Sequence, residues 1–341
     1  MSALRIVGSA GPLTRSMKIL VVGGAGYIGS HMVKALLDAS HAVVTFDDLS
    51  AGHREAVVGG EFVHGSLADG AALQRMFEAH RVDAVMHFAS SIQVAESVRK
   101  PAIYYRNNLS NTLNLLDAML HAGVGRFIFS STAAIFGEPE YVPIDEKHPQ
   151  RPVNPYGASK QMVERALQDY DRAYGLRSVC LRYFNAAGAH PDGGLGERHD
   201  PETHLIPLLL QAASGRRESV QVFGRDYDTP DGTCVRDYIH IMDLCQAHLL
   251  ALRFLHDGER SAGFNLGNGN GFSVMQVIAA VEQVTGCRLN VVDAPRRAGD
   301  PARLVADATL AQRTMGWSPR YGDIETIVEH AWRWESAMAG G

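Results

Sequence analysis

The sequence is poor in cysteine, and its cysteines are far apart. The four present are Cys180, Cys234, Cys245 and Cys287, with no CxxC pair among them. This spacing argues against the disulfide framework of small secreted proteins and predicts reduced thiols in a reducing compartment. We therefore expect a cytoplasmic protein.

The sequence also lacks long apolar runs and blocks of like charge. No segment approaches the length of a membrane span, and the leading MSALRIVGSAGPLTRS lacks the apolar centre of a signal peptide. The net charge of −5 comes without a run of Lys and Arg. These features predict a small-molecule partner, with neither nucleic acid nor membrane. We interpret residues 1–16 as a flexible N-terminal extension.

The histidines give no recognised zinc motif. Fifteen are present, and the grouping of most interest is His240, Asp243 and His248. Its spacing does not match that of known zinc sites, so the sequence analysis predicts no metal.

What the sequence does contain is a regular alternation of apolar runs and amphipathic stretches. Runs typical of buried strands occur near residues 18–24, 42–48, 61–65, 84–90, 126–132 and 178–184. Helical patterns occur near residues 28–36, 69–80, 102–121 and 156–174. This alternation predicts an α/β fold of Rossmann type, with a doubly wound parallel sheet.

After Asn185 the pattern changes to the Gly-rich stretch AAGAHPDGGLGERHD. Short strands then mix with helical patterns near residues 204–214, 242–257, 273–285 and 323–337. We therefore expect a second, smaller mixed α/β lobe that binds the substrate. The predicted bounds are 17–188 for a dinucleotide-binding domain, to which 238–262 return, and 189–237 with 263–341 for the substrate lobe.

The stretch GGAGYIG follows the first strand and opens the first helix. Its Gly23, Gly26 and Gly29 have the spacing that lets a backbone turn tightly and approach a pyrophosphate at a helix N-terminus. The second strand ends at Asp47, whose carboxylate can accept hydrogen bonds from an adenosine ribose and would repel a 2′-phosphate. The sequence therefore predicts NAD rather than NADP, with Asp48 and Ser50 beside the adenosine.

A second motif, NPYGASK, places a phenol and an ammonium on one helical face. Asn154 suits the helix cap and Pro155 its first position, so Tyr156 and Lys160 lie one turn apart. The ammonium and the helix dipole are expected to lower the pKa of Tyr156 below its usual value of about 10. With Thr132, which follows a predicted strand, they form a set suited to removing a proton from a substrate hydroxyl.

The sequence resembles the extended short-chain dehydrogenase/reductase superfamily, and within it the sugar-nucleotide epimerases. The resemblance runs from residue 18 to the C-terminus and rests on GGAGYIGSH, HFASSIQVAESV, YYRNN, NPYGASKQMVE, LRYFNAAGAHPDG, DGTCVRDYIHIMDL and PRRAGDPARLVAD. It implies an NAD-dependent isomerase that interconverts UDP-glucose and UDP-galactose through a 4-keto intermediate, re-reduced on its opposite face. Tyr156, assisted by Thr132, would take the 4-hydroxyl proton. A homodimer through the helices near 102–121 and 156–174 is also implied.

The resemblance also implies contact residues. For the cofactor they are, beyond those already given, Tyr27, Ile28, Ser66, Leu67, Phe88, Ala89, Asn107, Lys160 and Phe184. For the UDP-sugar they are, with Thr132 and Tyr156, the residues Asn185, His204, Leu205, Phe223, Arg236, Arg297 and Asp300. Ser66, Leu67 and Ile92 depart from the residues usual in related proteins, which leaves particular cofactor contacts open.

Leu304 is implied as a determinant of substrate size. Epimerases of this type that are restricted to glucose and galactose tend to carry tyrosine at the matching position. A leucine there lacks the ring and the hydroxyl, so a wider pocket that also admits the N-acetylated UDP-hexosamines is expected.

Two other interpretations stay open at this point. A UDP-uronic acid 4-epimerase or decarboxylase would need a basic residue near the sugar C6, which sequence alone does not place. A protein that senses NAD or a nucleotide sugar without catalysis would share the fold. The presence of Thr132, Tyr156 and Lys160 favours an enzyme.

Overall fold

The computed structural model describes residues 16–297 and 300–339. The predicted N-terminal extension, residues 1–16, lies outside the described residues apart from Ser16. Among the helices that the structure describes, none combines the length and the apolar composition that a membrane span requires.

A seven-stranded parallel sheet forms the centre of the molecule. Its strands are β1 Lys18–Val22, β2 Ala42–Asp47, β3 Glu61–His64, β4 Ala84–His87, β5 Arg126–Thr132, β6 Arg177–Tyr183 and β11 Ala262–Leu266. Their order across the sheet is β11-β6-β5-β4-β1-β2-β3. The six predicted strands are confirmed, whereas β11 was not predicted.

Helices cover both faces of this sheet, which explains why nearly every residue of the central strands β1, β4 and β5 is buried. The described helices are α1 Tyr27–Asp38, α2 Gly70–Ala79, α3 Val94–Arg99, α4 Pro101–Tyr104, α5 Asn111–His121, α6 Pro155–Tyr174, α7 Leu205–Ala213, α8 Ile241–His256, α9 Val274–Thr285, α10 Thr309–Met315 and α11 Ile324–Ala339. Helices α1 and α8 pack on one face, and α2, α5 and α6 on the other. The predicted doubly wound fold is confirmed.

The second lobe is built from short strands and three helices. Its strands are β8 Val220–Phe223 with β13 Val291–Ala294, and β9 Val235–Arg236 with β12 Phe272–Ser273 and β14 Arg303–Leu304. Helices α7, α9 and α11 form its apolar core. A further pair, β7 Asn185–Ala187 and β10 Tyr238–His240, lies where the chain passes between the two parts.

One predicted domain boundary needs correction. All residues of β11 after Ala262 were assigned to the substrate lobe, but this strand pairs with β6 in the central sheet. Helix α10, also assigned to the substrate lobe, packs on the central sheet as well, since its Ala311 belongs to the core on the α1 face of the sheet. Pairing between distant strands cannot be read from local periodicity. The other predicted bounds stay predictions.

The helix predicted over 102–121 is interrupted. It consists of α4, a π-helical turn over Tyr105–Ser110, and α5. The widened turn buries the amide of Asn108, whose Oδ1 accepts the N–H of Ser91 at 2.8 Å. Its Nδ2 donates to the carbonyl of Ser91 at 3.0 Å and to Ser159 Oγ at 3.1 Å. Asn108 therefore joins the loop after β4 to helix α6, and π-helical turns are frequent at functional sites.

We expect Asn108→Ala to lower the free energy of unfolding by about 2–3 kcal/mol, since it leaves several buried polar groups without partners. Asn111→Ala is the matched control, because the amide of Asn111 makes only a long 3.4 Å contact with Asn107. Urea denaturation of both variants measures the difference. Equal losses in the two variants would show that the π-helical turn does not depend on the Asn108 amide.

Candidate functional site

The first group of predicted site residues lies where β1 meets α1. Gly23 has a φ of +78°, and a Cβ there would lie 2.5 Å from the backbone nitrogen of Ala89. A Cβ at Gly29 would lie 2.1 Å from the carbonyl oxygen of Gly23. At Gly26 the nearest atom would be 3.5 Å away, so the space beside it is open. Packing therefore requires glycine at the first and third positions, and the middle position leaves room for a ligand.

Polar groups lie beside this turn. The N–H groups of Tyr27 and Ile28, in the first turn of α1, have no acceptor within the helix. The N-cap residue is Gly26, which has no side chain to accept them. Asp47 ends β2 and accepts the N–H of Ala25 at 2.9 Å. Burial raises the pKa of this carboxyl, and backbone hydrogen bonds oppose part of the rise. The uncapped helix end, the space beside Gly26 and the acidic group fit the pyrophosphate and ribose of a dinucleotide.

The other predicted cofactor residues lie around the same edge of the sheet. They follow β2, β3 and β4 or lie in the π-helical turn: Asp48, Ser50, Ser66, Leu67, Phe88, Ala89 and Asn107. The Nδ2 of Asn107 donates to Ser91 Oγ at 3.2 Å, next to the strand end of β4. Ligands bind at the carboxyl ends of the strands in open parallel sheets. The contact of each residue with a cofactor stays a prediction.

Helix α6 and strand β5 bring Tyr156 and Thr132 together. The predicted cap of α6 is confirmed, since Asn154 Oδ1 accepts an N–H of the first turn at 2.9 Å and Pro155 takes the first position. The side chain of Thr132 lies beside the phenol of Tyr156 and opposes part of the rise in its pKa. The Thr132 hydroxyl also caps the 3₁₀ turn Ala133–Ile135. Thr132 thus has a structural role and a contact with the phenol.

Lys160 lies one turn further along α6 and is 1% exposed. Its Nζ donates to Ser90 Oγ at 2.7 Å and to the carbonyl oxygen of Ser130 at 2.8 Å. It also lies 4.7 Å from the centroid of the Phe129 ring. Burial lowers the pKa of Lys160 to about 7, although the negative charge of Glu164 opposes the shift. The ammonium therefore has its own partners at the ends of β4 and β5.

The predicted lowering of the Tyr156 pKa by Lys160 is not found. Burial raises the pKa of Tyr156, and only the hydrogen bond with Thr132 opposes that rise. The physical reason is that the phenol lies in a poorly solvated site while the ammonium of Lys160 is directed towards Ser90 and Ser130.

A buried ion pair behind Lys160 was missed by the sequence analysis. Glu164, on the next turn of α6, accepts hydrogen bonds from Arg182 Nε at 3.0 Å and Nη2 at 2.6 Å. Ser131 Oγ donates to the same carboxylate at 2.5 Å. The i, i+4 spacing of Lys160 and Glu164 is a signal that could have indicated a buried acidic partner. Arg182 comes from β6, so its part could not be read locally.

The second lobe groups most of the predicted UDP-sugar residues in two pairs. Arg236, on β9, forms an ion pair with Asp300 and is largely buried. The guanidinium of Arg297 lies 3.9 Å from the centroid of the Phe223 ring. Two arginines and an aromatic ring suit a ligand that has phosphates and a flat base.

Three more predicted residues lie at the starts of elements. Asn185 begins β7, and its Nδ2 donates to the carbonyl of Asp237 at 2.9 Å. His204 precedes α7, which begins at Leu205. The imidazole of His204 is already in contact with the carboxylate of Glu197.

Leu304 lies between the arginine pairs and the end of β5. It pairs with Arg236 in the register of β14 with β9. Together with Phe184 it packs against the apolar cluster that contains Ala133 and Phe136. The structure thus places Leu304 beside both the strand end of Thr132 and the predicted phosphate-binding residues.

The chain is similar to known proteins along nearly its whole length. Residues 19–267 match the NAD dependent epimerase/dehydratase family. The UDP-glucose 4-epimerase of Halalkalibacterium halodurans is 52% identical over 325 residues, 95% of this chain and 97% of that protein. The crystal structure of UDP-glucose 4-epimerase from Brucella ovis in complex with NAD is 48% identical with a TM-score of 0.91, covering 93% of this chain and 98% of that one. The UDP-Glc/GlcNAc 4-epimerase from Campylobacter jejuni is 44% identical with a TM-score of 0.83, covering 94% and 100%.

We expect Gly26→Ala to fold normally, because a φ of −80° and a 3.5 Å contact suit alanine. The added methyl would nevertheless occupy the space predicted for the pyrophosphate. Overpacking costs about 1–3 kcal/mol, so the affinity for NAD should fall about 5- to 150-fold. The measurement is the nucleotide released on denaturation, which should be NAD(H) and not NADP(H) in the unchanged protein.

Gly70→Ala is the matched control, since a Cβ at Gly70 would meet no described atom within 4 Å. Its NAD content should equal that of the unchanged protein. Undiminished NAD in Gly26→Ala, or NADP(H) as the main nucleotide, would contradict the assignment of this turn and of Asp47.

Proposed function

Since the chain belongs to the NAD dependent epimerase/dehydratase family, we propose that it interconverts UDP-glucose and UDP-galactose by oxidising C4 and reducing it on the opposite face. The observation that carries this proposal is the position of the Thr132 side chain beside the buried phenol of Tyr156 at the end of β5. Lys160 lies one turn away, at the same edge of the sheet as the glycine turn. The Halalkalibacterium halodurans relative, named a UDP-glucose 4-epimerase, supports the choice of reaction.

Tyr156 is the proposed base for the 4-hydroxyl of the sugar. A base must lie within hydrogen-bond reach of the proton that it takes, and Thr132 can hold the same hydroxyl against the phenol. Shifting a phenol pKa from about 10 to about 7 corresponds to about 4 kcal/mol of selective stabilisation of the anion. Because burial raises the pKa of Tyr156, positive charge has to supply this energy. The N-terminus of α6 provides part of it.

When bound, NAD accepts the C4 hydride, returns it, and adds positive charge to the site. The residues that would hold it are Gly26, the uncapped start of α1 and Asp47. The Brucella ovis structure with NAD supports this cofactor. The hydride must return to the sugar that released it, so we infer that the cofactor stays bound through the cycle.

The second lobe is proposed to hold the uridine diphosphate. The forks of Arg236 and Arg297 match phosphate oxygens, and Asp300 orients the first of them. Fixing the diphosphate leaves the 4-keto sugar free to turn about its link to the phosphate. That turn presents the opposite face of C4 to the same side of the site, which inverts the configuration.

N-acetylated UDP-hexosamines are proposed as further substrates. Leu304 contributes to the wall between Phe184 and Arg236, where tyrosine would be bulkier. Space that is already present removes most of the cost of admitting an N-acetyl group. The Campylobacter jejuni enzyme, whose structure is described as a UDP-Glc/GlcNAc 4-epimerase, supports such breadth within the family.

A homodimer is proposed through the helices near 102–121 and 156–174, together with the adjoining helix α3. Exposed large apolar side chains on these helices include Val94, Val98, Ile103 and Met162. Helices α3, α4 and α6 contact one another, so these side chains are carried by neighbouring elements. Exposed apolar side chains on neighbouring helices would be covered by a second copy. The cytoplasmic location stays a prediction, based on the reduced cysteines.

The other interpretations receive less support. The relatives named above are UDP-glucose 4-epimerases, which does not favour a UDP-uronic acid 4-epimerase or decarboxylase. A sensor without catalysis would have no need for a buried phenol beside Thr132 at the strand end.

Tyr156→Phe should fold and retain NAD, yet interconvert UDP-glucose and UDP-galactose at least about a hundredfold more slowly, because the variant has no base. Tyr174→Phe, at the exposed end of the same helix, is the matched control and should keep its activity. Initial rates and NAD content are measured for both. Near-normal turnover by Tyr156→Phe would contradict the proposed mechanism.

Leu304→Tyr should lower turnover of UDP-N-acetylglucosamine and UDP-N-acetylgalactosamine while sparing the simple hexoses. Refilling the gap costs about 1–3 kcal/mol, so kcat/KM for the acetylated pair should fall about 5- to 150-fold. Leu304→Met conserves volume and is the control that should keep both activities. Absence of acetylated turnover in the unchanged enzyme would refute the wider pocket, without affecting the assignment of the hexose reaction.

A further inference from the structure

Four side chains converge in the connection between β7 and α7. They are Glu197, His199, Glu202 and His204, and their nitrogen and oxygen ligand atoms all lie within 4.8 Å of one another. The Nδ1 atoms of both histidines face one oxygen, Oε1 of Glu197, at 3.1 Å for His199 and in a shorter contact for His204. The same two nitrogens lie 3.7 and 4.0 Å from the Glu202 carboxylate.

The hydrogen bonds around this cluster leave ligand atoms unused. The Nδ1 of His199 is buried and has no hydrogen-bond partner among the described residues. Glu197 Oε1 therefore lies close to this nitrogen, but at an angle that does not suit a hydrogen bond. Glu202 Oε1 accepts the N–H groups of Thr203 at 2.7 Å and of His204 at 2.9 Å, whereas its Oε2 faces His199. The backbone thus holds Glu202 with one oxygen directed into the cluster.

We propose that Glu197, His199, Glu202 and His204 bind one divalent transition-metal ion, with Zn²⁺ as the ion that fits best. Zinc takes imidazole nitrogens and carboxylate oxygens in tetrahedral sets, and four protein ligands make a closed site of the structural type. Both carboxylates are 5% exposed. A divalent cation would balance their two negative charges while both imidazoles stay neutral, as metal ligation requires.

The competing arrangement uses protons in place of the metal. Two imidazolium groups would also balance the two carboxylates, as ordinary ion pairs. That arrangement would give each histidine a directed hydrogen bond to a carboxylate, which the buried Nδ1 of His199 lacks. The geometry around His199 therefore favours an ion at the centre of the cluster.

The cluster lies at the junction of the two parts of the molecule. The ring of Tyr27, at the start of α1, meets His199 edge-on with centroids 6.3 Å apart. The carbonyl of Glu197 accepts a hydrogen bond from Trp334 Nε1, on α11, at 3.1 Å. A bound ion would hold the start of α7 in place relative to both helices. Because His204 is also a predicted UDP-sugar residue, a bound ion would influence UDP-sugar binding. Only that influence rests on the proposed function.

This proposal departs from the sequence analysis, which predicted no metal and considered another histidine grouping, His240, Asp243 and His248. The spacing E-x-H-x-x-E-x-H over residues 197–204 is present in the sequence and could have been noticed. It is not a recognised motif, however, and only the folded loop shows that all four side chains face one point.

The test is zinc binding by the full chain, purified without a histidine tag, stripped with a chelator and dialysed against Zn²⁺. We expect about one zinc per chain by elemental analysis, and a rise in melting temperature on adding Zn²⁺ to the stripped protein. The double variant His199→Ala/Glu202→Gln should bind zinc more than about a hundredfold more weakly, since loss of outer partners alone costs about ten- to a hundredfold. His121→Ala, at an exposed helix end, is the control and should bind normally.

Two results would overturn the proposal. Less than about a tenth of an equivalent of zinc on the unchanged protein would show that protonated histidines alone balance the carboxylates. Undiminished binding by the double variant would place the ion elsewhere. The stoichiometry and the Co²⁺ absorption spectrum of the unchanged protein decide the question even if the double variant does not fold. Neither readout depends on epimerase activity. A failure of the proposed metal site can therefore be distinguished from a failure of the proposed reaction.

Discussion

A buried charge, the ammonium of Lys160, holds helix α6 against the carboxyl edge of the sheet, and the arrangement of the site depends on it. A buried cation without partners would carry a large free-energy cost of desolvation, so hydrogen-bond acceptors have to lie next to it. Ser90 receives one hydrogen bond and the carbonyl of Ser130 another, which joins the ends of β4 and β5 to the helix. The first turn of α6 then sets Tyr156 beside Thr132. The position of the phenol therefore follows from where the ammonium is held.

The same helix continues this electrostatic arrangement one turn deeper. Glu164 lies behind Lys160, receives three hydrogen bonds from Arg182 and a fourth from Ser131, and so links α6 to β5 and β6. Breaking a buried pair leaves an uncompensated charge, which is strongly destabilising. The network therefore gives α6 one position relative to the strand that carries Thr132. Stability and the geometry of the proposed base share a single set of contacts.

The second lobe depends on a comparable buried carboxylate at its junction with the sheet. Asp237 accepts the N–H of Asn268 at 2.8 Å and those of Gly269 and Ala306 at 3.1 Å. It thereby joins the segment between β9 and β10 to the ends of β11 and β14. Strand β9 carries Arg236 and β14 carries Leu304, so the proposed phosphate and sugar contacts are placed relative to the cofactor edge by the side chain of Asp237. Burial raises the pKa of Asp237 to about 6, while the three N–H groups oppose part of the rise.

Sequence alone determined the features that depend on neighbours along the chain. Strands β1 to β6, the glycine turn and the capped start of α6 could be predicted, because apolar periodicity, helix caps and glycine spacing are local signals. Tertiary structure alone decided the place of β11 in the central sheet and the π-helical turn that buries Asn108. It also decided that the Lys160 ammonium is directed to Ser90 and Ser130 and that the phenol of Tyr156 is buried. Burial therefore raises the pKa of Tyr156 without the Lys160 ammonium to oppose the rise. These features depend on contacts between residues far apart in the chain, and local patterns do not encode which distant groups will compete for one buried charge.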